Sequence, residues 1–289
     1  MDQLDRLGWA AGSAFRAYGV SVGVRANRPK ALKLLRDFFP PGWKPSRSRA
    51  VQRLYSFILA TPTRPRGRRM NLLFADINRL ASSQDPVVAL EAFESDLHRY
   101  IAEWAPRRCF VHAGVVGWNG QAIVIPGRSF VGKSTLVAEL VRGGATYYSD
   151  EYAVLDSRGR VHPFPRAPAL RTNGDAKQVR LSLESLGGKA GSEPLPVGLV
   201  VVSRYRAGAH WRPRRLTPGQ GVLALLANAV SARRQPRRVL ASLRQAIARA
   251  SVIQGTRGEA GEVAAQLLRQ LDGSNTGGLP RLAAANGSA

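Results

Sequence analysis

The sequence predicts an α/β fold built around a phosphate-binding loop, and three adjacent segments indicate it. The apolar, β-branched run Ala122–Ile125 is typical of a buried strand. Thr135–Arg142 is typical of a helix, which Gly143-Gly144 would end. Between them, the pattern G-x-x-x-x-G-K-[ST] is matched in full by Gly127, Arg128, Ser129, Phe130, Val131, Gly132, Lys133 and Ser134. A chance glycine-rich turn is the alternative, which the flanking strand and helix disfavour.

The residue types of this loop suit the binding of a triphosphate. Two glycines let the backbone curl so that several N–H groups converge on phosphate oxygens. The N-terminus of the following helix adds the positive end of its dipole. We expect Lys133 to reach the β- and γ-phosphates and the Ser134 hydroxyl to bind Mg²⁺, with Thr135 completing the loop. The pattern therefore predicts ATP and Mg²⁺ as ligands.

Composition sets broad limits on the class of protein. The chain has 289 residues, of which 44% are hydrophobic, enough for one large domain or two. It has no apolar run near the roughly 20 residues that span a bilayer, and the acidic start Met1–Asp5 lacks the apolar segment of a secretory signal. Cys109 is the single cysteine, which excludes an intramolecular disulfide. We expect a cytoplasmic protein without a membrane partner.

The formal charge of +24 raises the question of a nucleic-acid partner. The arginines are scattered in short groups, such as Arg64–Arg69, Arg212–Arg215 and Arg233–Arg238, and no aromatic stacking motif accompanies them. A specific nucleic-acid site is therefore disfavoured, and an acidic or phosphorylated substrate fits the charge equally well. The salt dependence of DNA binding would test the nucleic-acid alternative.

The chain divides by pattern into three parts. Residues 1–108 form a small α/β region, residues 109–272 the nucleotide-binding domain, and residues 273–289 a small, polar tail that we expect to be disordered. In the helix of the first region that Asp85 would cap, His98 is expected to be an exposed polar residue. The elements predicted for this region are a strand over Phe15–Arg25, a helix over Pro29–Phe39, a strand over Val51–Leu59, a loop over Thr61–Arg69, a strand over Met70–Leu80 and a helix from Pro86.

A hairpin is predicted immediately before the phosphate-binding loop. Asn119-Gly120 lies between apolar runs, a strong signal for a tight turn, so the strand that feeds the loop should have an antiparallel partner. That departs from standard phosphate-loop folds, whose central sheets are mainly parallel. After the loop we expect a strand over Ala145–Asp156, a returning strand over Val161–Pro165, a strand over Val197–Val202, and helices over Leu216–Val230, Pro236–Ala250 and Glu259–Leu271.

Asp150 and Glu151 interrupt the strand that follows the first helix. A phosphate loop needs a carboxylate to hold or orient Mg²⁺, and a kinase needs a base for the accepting hydroxyl. Adjacent strand residues point to opposite faces, so both acids can serve one site only where the strand ends or bulges. A solvated acidic pair is the alternative, but acids amid tyrosines and valine are costly unless they are paired. The pair is therefore predicted to be functional.

The order of motifs resembles the catalytic domain of HPr kinase/phosphorylase. The resemblance rests on His112-Ala113-Gly114-Val115, the hairpin, GRSFVGKST, and Ser149-Asp150-Glu151, and it covers about residues 109–156. It implies a fold akin to PEP carboxykinase, phosphate and Mg²⁺ contacts from Lys133 and Ser134, and an active-site histidine at His112. It also implies that Asp150 and Glu151 stand where the family has its two aspartates.

The chain departs from this family in three respects. Glu151 replaces the second aspartate, the family's glycine-rich C-terminal signature is not found, and residues 1–108 do not match its N-terminal domain. The chain looks more like divergent HPr-kinase-like proteins of bacterial biosynthetic clusters, some of which resemble peptide or small-molecule kinases.

The sequence therefore predicts an ATP- and Mg²⁺-dependent kinase that phosphorylates a hydroxyl, such as a serine on a protein or peptide, or a hydroxyl of a small molecule. We expect Asp150 to be the base, Glu151 to act through Mg²⁺, and a His112 imidazolium to tune Asp150. The alternatives are a catalytically silent ATP-binding regulator and a basic nucleic-acid-associated or scaffold protein. The sequence does not decide whether the protein forms a homo-oligomer. Three arginines are weaker candidates for clamping a phosphate, and each is expected to be a surface residue: Arg166, Arg171 and Arg204.

Overall fold

A computed structural model describes residues 2–48, 50–60, 70–127, 132–166, 169–171, 178–180 and 182–275. Over these residues the protein is mixed α/β with two large sheets, consistent with the predicted α/β class. Backbone contacts divide it into two compact units. The first contains the chain up to Phe110 together with Val230–Pro236, and the second contains Val111–Ala229 and the chain from Arg237. A short segment from late in the sequence therefore belongs to the first unit.

The first unit is a six-stranded sheet of order β3-β1-β2-β4-β5-β6. Helices α2 and α3 pack on it, around a core that includes Phe15, Tyr55 and Phe93. Its described elements are α1 (Asp2–Asp5), β1 (Ala11–Ala17), β2 (Val20–Ala26), α2 (Pro29–Arg36), β3 (Lys44–Ser46), β4 (Arg53–Ile58), β5 (Asn71–Ala75), β6 (Asn78–Ser83) and α3 (Pro86–Trp104).

Two segments predicted as single strands are hairpins, so those predictions are wrong. The Phe15–Arg25 segment turns back at Tyr18-Gly19, which have φ values of 51° and 88°. The Met70–Leu80 segment turns back after Asp76, whose φ is 54°. Neither turn carries an Asn-Gly or Asp-Gly pair, and the apolar alternation continues through both, which is why pattern alone did not separate the strands. The predicted loop Thr61–Arg69 lies outside the described residues.

The long helix α3 begins as predicted, but one of its residues is placed differently. The Asp85 carboxylate accepts a hydrogen bond from the Val87 N–H (2.9 Å), which confirms the predicted N-cap. The prediction that His98 is exposed is wrong, since the residue is 2% exposed and its Nε2 lies 3.2 Å from the Phe38 carbonyl oxygen. Contacts of α3 with both α2 and the sheet bury more of its circumference than one apolar stripe would.

The second unit contains a sheet of order β11-β10-β7-β8-β14-β16-β15, with β9 also paired to β7. Its described elements are β7 (Cys109–Trp118), β8 (Gln121–Pro126), α4 (Lys133–Arg142), β9 (Thr146–Ser149), β10 (Tyr152–Leu155), β11 (Val161–His162), β12 (Ala169–Arg171), β13 (Gln178–Arg180), a 3₁₀ turn (Glu184–Leu186), β14 (Val197–Tyr205), β15 (Arg214–Arg215), α5 (Pro218–Leu226), α6 (Pro236–Ile247), β16 (Ser251–Arg257) and α7 (Ala260–Asn275).

The predicted hairpin before the phosphate-binding loop is confirmed. Strands β7 and β8 pair antiparallel across Asn119 and Gly120, whose φ values of 47° and 75° suit a two-residue hairpin turn. On its other side β8 is parallel to β14, and β14 is parallel to β16. The strand β16 was not predicted from the sequence. The loop strand therefore lies inside a mixed sheet, between one antiparallel and one parallel neighbour.

Helices α4 and α7 cover one face of this sheet. Close approach of α4 requires a small residue at Gly114 on β7, because a Cβ there would overlap Val137 of the helix. The predicted tail is partly wrong, since residues 273–275 belong to α7, and residues 276–289 lie outside the described residues. None of the described helices combines the length and apolarity that crossing a bilayer requires.

Candidate active site

The β7–β8 hairpin brings the start of the phosphate-binding loop to the same end of the sheet as the acidic pair, Asp150 and Glu151. At the end of β8, the Gly127 N–H donates to the His112 carbonyl (3.1 Å), which extends the β7–β8 pairing to the first glycine of the loop. On the other side of β7, the Ala113 N–H donates to the Glu151 carbonyl (3.1 Å). The strand that carries His112 is thus flanked by the start of the loop and by the acidic pair.

The end of the phosphate-binding loop has the backbone conformation that its glycine predicts. Gly132 is in the left-handed region (φ 76°, ψ 21°) and is the N-cap of α4, and its carbonyl accepts from the Leu136 N–H (3.2 Å). Lys133 is the first helical residue, followed by the half-buried Ser134 and the exposed Thr135. The predicted contacts of Arg128, Ser129, Phe130 and Val131 lie outside the described residues.

The acidic pair lies in a break between two strands. Strand β9 ends at Ser149 and β10 begins at Tyr152, so Asp150 and Glu151 are not bound by strand alternation. The buried Ser149 hydroxyl accepts from the N–H groups of Glu151 (3.1 Å) and Tyr152 (2.9 Å). This side-chain-to-backbone turn fixes the break and allows both carboxylates to serve one site.

Lys133 and the two acids are close enough to interact electrostatically. Burial lowers the pKa of Lys133, and the charges of Asp150 and Glu151 oppose that shift. Among the described residues, no group of three or more His, Cys, Asp or Glu side chains could hold a metal ion alone. Mg²⁺ bound by one or two carboxylates, a hydroxyl and substrate phosphates would not need such a group. The donor set of Ser134, Asp150 and Glu151 therefore fits Mg-ATP.

Asp150 is held by a buried tyrosine that sequence reasoning did not single out. The Tyr147 hydroxyl donates to Asp150 Oδ1 (2.9 Å), and Tyr147 is fully buried. Burial first, and then Asp150, raise the pKa of this phenol, so it stays protonated and donates. The sequence signal for this contact was the position of Tyr147, three residues before Asp150.

His112 lies beside the acidic pair, where its surroundings disfavour the imidazolium that was expected. Its ring lies 4.8 Å from that of Tyr152, between centroids. Burial lowers its pKa, as does the charge of Lys133, while Glu151 opposes the shift. Burial and the Lys133 charge thus disfavour the imidazolium that was expected to tune Asp150, and the role of His112 stays a prediction.

The three secondary arginines have different outcomes. Arg166 was expected at the surface, but its guanidinium pairs with the Glu151 carboxylate, and both side chains are largely buried. That expectation is wrong because the chain after β11 returns alongside the acidic pair. Arg204 is exposed, as expected. The side chain of Arg171 lies outside the described residues.

Sequence reasoning also missed Arg257, at the end of β16. Its Nη2 donates to the Gly132 carbonyl (2.7 Å), so it touches the backbone of the phosphate-binding loop. The signal that could have found it is the β-branched pair Val252-Ile253, followed by Gly258 and a helix, which gives a second strand–glycine–helix order.

Comparison with known proteins adds a distant structural likeness. No protein-family model matches the chain, and no curated protein matches it. Among solved structures it is similar to the Hpr(Ser) kinase/phosphatase from Coxiella burnetii, at 14% identity and a TM-score of 0.35, over 58% of this chain and 99% of that one. A likeness this weak carries no argument about the site. The chain is a mixed α/β protein with a weak structural neighbour among kinase/phosphatases.

Proposed function

We propose that the protein is an ATP- and Mg²⁺-dependent kinase that transfers the γ-phosphate to a hydroxyl, such as a serine of a protein or peptide. The observation that carries the proposal is the convergence of Lys133, Asp150 and Glu151 at the N-terminus of α4. A cation beside a left-handed glycine and a helix N-terminus is suited to bind phosphate. Two acids beside that cation are suited to hold Mg²⁺ and to accept a proton.

The roles follow from where each group lies. Lys133 binds the β- and γ-phosphates, and the Ser134 hydroxyl, at the next helical position, is a ligand for Mg²⁺. Mg²⁺, when bound, neutralises charge on the phosphate oxygens. Asp150 accepts the proton of the acceptor hydroxyl. The acceptor oxygen then bonds to the γ-phosphorus, and the bond from that phosphorus to the β–γ bridging oxygen breaks to release ADP.

The surrounding residues limit what the two acids can do. The Tyr147 hydroxyl donates to Asp150 Oδ1 and so fixes the orientation of the carboxylate that would accept the proton of the acceptor hydroxyl. Arg166 engages one oxygen of Glu151, so Glu151 would act on Mg²⁺ through a bridging water. A neutral His112 can donate or accept a hydrogen bond at the same end of the sheet.

Transfer of label from γ-labelled ATP tests the proposal. The protein is incubated with Mg-ATP and with serine peptides, proteins and small hydroxyl compounds, alongside Lys133→Ala. The expected result is a labelled acceptor that depends on Mg²⁺ and on Lys133, identified by mass spectrometry of the phosphorylated atom. Labelling that is equal in Lys133→Ala would exclude the phosphate-binding loop from the reaction.

A second candidate, an ATP-binding regulator without turnover, is favoured by one observation. The Arg166 side chain already neutralises Glu151, which makes that acid a weaker metal ligand than an unpaired carboxylate. Calorimetric binding of Mg-ATP together with the absence of ADP release and of any labelled acceptor, at every Mg²⁺ concentration, would select this candidate over the kinase.

A further inference from the structure

The second unit buries a cation next to the phosphate-binding loop. Arg257 is 2% exposed and is the largest of the fully buried side chains among the described residues. None of the ion pairs within the described ranges includes it. Glu259 makes its hydrogen bond with the Tyr205 hydroxyl instead (3.3 Å), and the Tyr205 ring centroid lies 5.4 Å from the Arg257 guanidinium carbon. A buried charge without a carboxylate partner is costly.

The contacts of the guanidinium point it at the loop. Nη2 donates to the Gly132 carbonyl (2.7 Å) and Nη1 donates to the Gly258 carbonyl (3.1 Å). Nε is buried and, within the described part of the chain, has no hydrogen-bond partner. A Cβ at position 132 would overlap Nη2, so Arg257 and the glycine fit each other closely. Both carbonyl contacts are neutral acceptors. Tyr205 and Glu259 favour the charged form electrostatically, but burial outweighs them and lowers the pKa of Arg257.

The Gly132 contact also sets the direction of the neighbouring peptide group. A trans peptide is planar, so the Gly132 carbonyl and the Lys133 N–H point in opposite directions. The carbonyl is held from one side by Arg257 and by the Leu136 N–H (3.2 Å). The Lys133 N–H is one of the first-turn donors that lack a partner within the helix. Fixing the carbonyl therefore aims this donor away from the helix body, toward the space at the N-terminus of α4.

We propose that Arg257 is a positioning residue of the phosphate-binding loop, and that the phosphates of a bound nucleotide supply counter-charge to the buried guanidinium, which is in no ion pair within the described residues. The proposal rests on the proposed function, because it assumes that a polyphosphate binds at this loop. It adds a role for a residue 125 positions away from Gly132 in the sequence. It also adds a consequence for stability: bound polyphosphate stabilises the protein through Arg257.

The test compares two variants of Arg257 with a matched control. Arg257→Met removes the charge and both donors but keeps an apolar side chain of similar length, and Arg257→Lys keeps the charge without the planar fork. Arg204→Met is the control, because Arg204 is an exposed arginine on β14, paired with Thr256 of the adjacent strand. Each protein is titrated with inorganic pyrophosphate and with Mg-ATP by calorimetry, and is melted with and without pyrophosphate.

The expected pattern separates positioning from a merely structural role. Arg257→Met should bind pyrophosphate and Mg-ATP at least about tenfold more weakly, and its melting temperature without ligand should equal or exceed that of the wild type. Removal of a buried charge that burial disfavours offsets the loss of two hydrogen bonds. The rise in melting temperature with pyrophosphate should be present in the wild type and in Arg204→Met, partial in Arg257→Lys, and absent in Arg257→Met.

Three other outcomes would contradict the inference, and each can be recognised from the binding and melting data. Wild-type affinity in Arg257→Met, with a lower melting temperature, would mean that Arg257 only supports the fold, and the kinase proposal would stand. Should Arg257→Met fail to fold, wild-type binding and stabilisation in Arg257→Lys would contradict the role of the fork. If the wild type bound neither pyrophosphate nor Mg-ATP, both the inference and the proposed function would fail. Pyrophosphate binding that depends on Arg257 supports the inference even where no phosphoryl transfer is found.

Discussion

Each unit of the protein contains a partly buried cluster of ionisable side chains, and the two clusters differ in how well they stabilise the charged group at their centre. The Asp96 cluster of the first unit consists of Asp96 with Arg53, Tyr55, Arg99 and Asp76. Asp96 accepts from Arg53 Nη2 (2.7 Å), the Tyr55 hydroxyl (2.8 Å) and Arg99 Nη2 (2.7 Å). Arg53 also pairs with Asp76 (3.1 Å). This cluster contains its own counter-charges.

The second unit has a corresponding Lys133 cluster, in which the surroundings disfavour a charged group instead of stabilising it. This cluster consists of Lys133, Asp150, Glu151, His112 and Arg166. Burial would raise the pKa of Asp96, but hydrogen bonds from Arg53, Tyr55 and Arg99 lower it below its usual range. At Lys133 burial lowers the pKa, and the nearby acids do not restore it. The comparison indicates that the first cluster stabilises the fold, whereas in the second the charged form of Lys133 is disfavoured despite the nearby acids and would gain from bound phosphate.

The largest effect is expected from breaking the Asp96 cluster. Asp96→Asn should lower the free energy of unfolding by about 3–5 kcal/mol, because it takes the buried carboxylate away from the largely buried Arg53 and from the Tyr55 hydroxyl, and leaves Arg53 only the more exposed Asp76. Asp5→Asn is the control, since Asp5 also pairs with an arginine (Arg25) but its side chain is 49% exposed. Urea denaturation measures both. Equal, small losses would mean that the Asp96 cluster does not support the fold.

The same cluster sets a pH dependence of stability. An aspartate in the unfolded chain has a pKa of about 3.9, and the pKa of Asp96 in the folded protein is lower. Its stabilising contribution is therefore complete above about pH 5 and is lost as the pH falls through the folded value. In denaturation curves at descending pH, wild type and Asp96→Asn should converge. A gap that persisted at the acid end would contradict this assignment.

Lys133→Ala tests the other side of the comparison. Losing one preorganised contact to the phosphates should cost about 3–4 kcal/mol of transition-state stabilisation, seen as loss of kcat/KM and of Mg-ATP affinity. Stability without ligand should stay near that of the wild type, because burial already disfavours the charged form of Lys133. A large loss of stability with normal turnover would make the Lys133 cluster structural, like the first.

The two acids should respond differently to neutral substitution. Asp150→Asn should lose phosphoryl transfer and still bind Mg-ATP, because it removes the base. Glu151→Gln should raise the Mg²⁺ requirement and retain turnover at high metal, because Mg²⁺ can be held through a bridging water. Turnover and nucleotide titrations at varied Mg²⁺ measure both. The reverse pattern would exchange the two roles, and activity in both variants would contradict the kinase proposal.

The smallest effect is expected at the tyrosine that holds Asp150. Tyr147→Phe removes one buried hydrogen bond, worth about 0.5–1.5 kcal/mol, and should lower kcat severalfold with little change in the KM for ATP. Tyr148→Phe is the control, because the neighbouring Tyr148 hydroxyl donates to the Glu193 carbonyl (2.7 Å), away from the acids. Similar kinetics for the two variants would show that Tyr147 does not position Asp150.

Much of the second unit could be predicted from the sequence, because the signals there are local. Asn119-Gly120 predicts its hairpin from the two residues that adopt positive φ. The glycine loop and the run Thr135–Arg142 predict a helix, which the structure starts two residues earlier, at Lys133 after the left-handed Gly132. Where local signals are weak, as at Tyr18-Gly19 and Asp76, two strands looked like one, because apolar alternation does not record a change of direction.

By itself, then, the sequence determined the strand–loop–helix segment, the broken strand at Asp150 and the candidate roles that these imply. Only the tertiary structure decided which partners these residues meet. Burial next to Lys133 lowers the pKa of His112, and the return of the chain after β11 brought Arg166 to Glu151. The pairing of β14 with β16 carried Arg257 to Gly132. Charge state and long-range pairing depend on desolvation and on contacts between distant segments, which no local pattern contains.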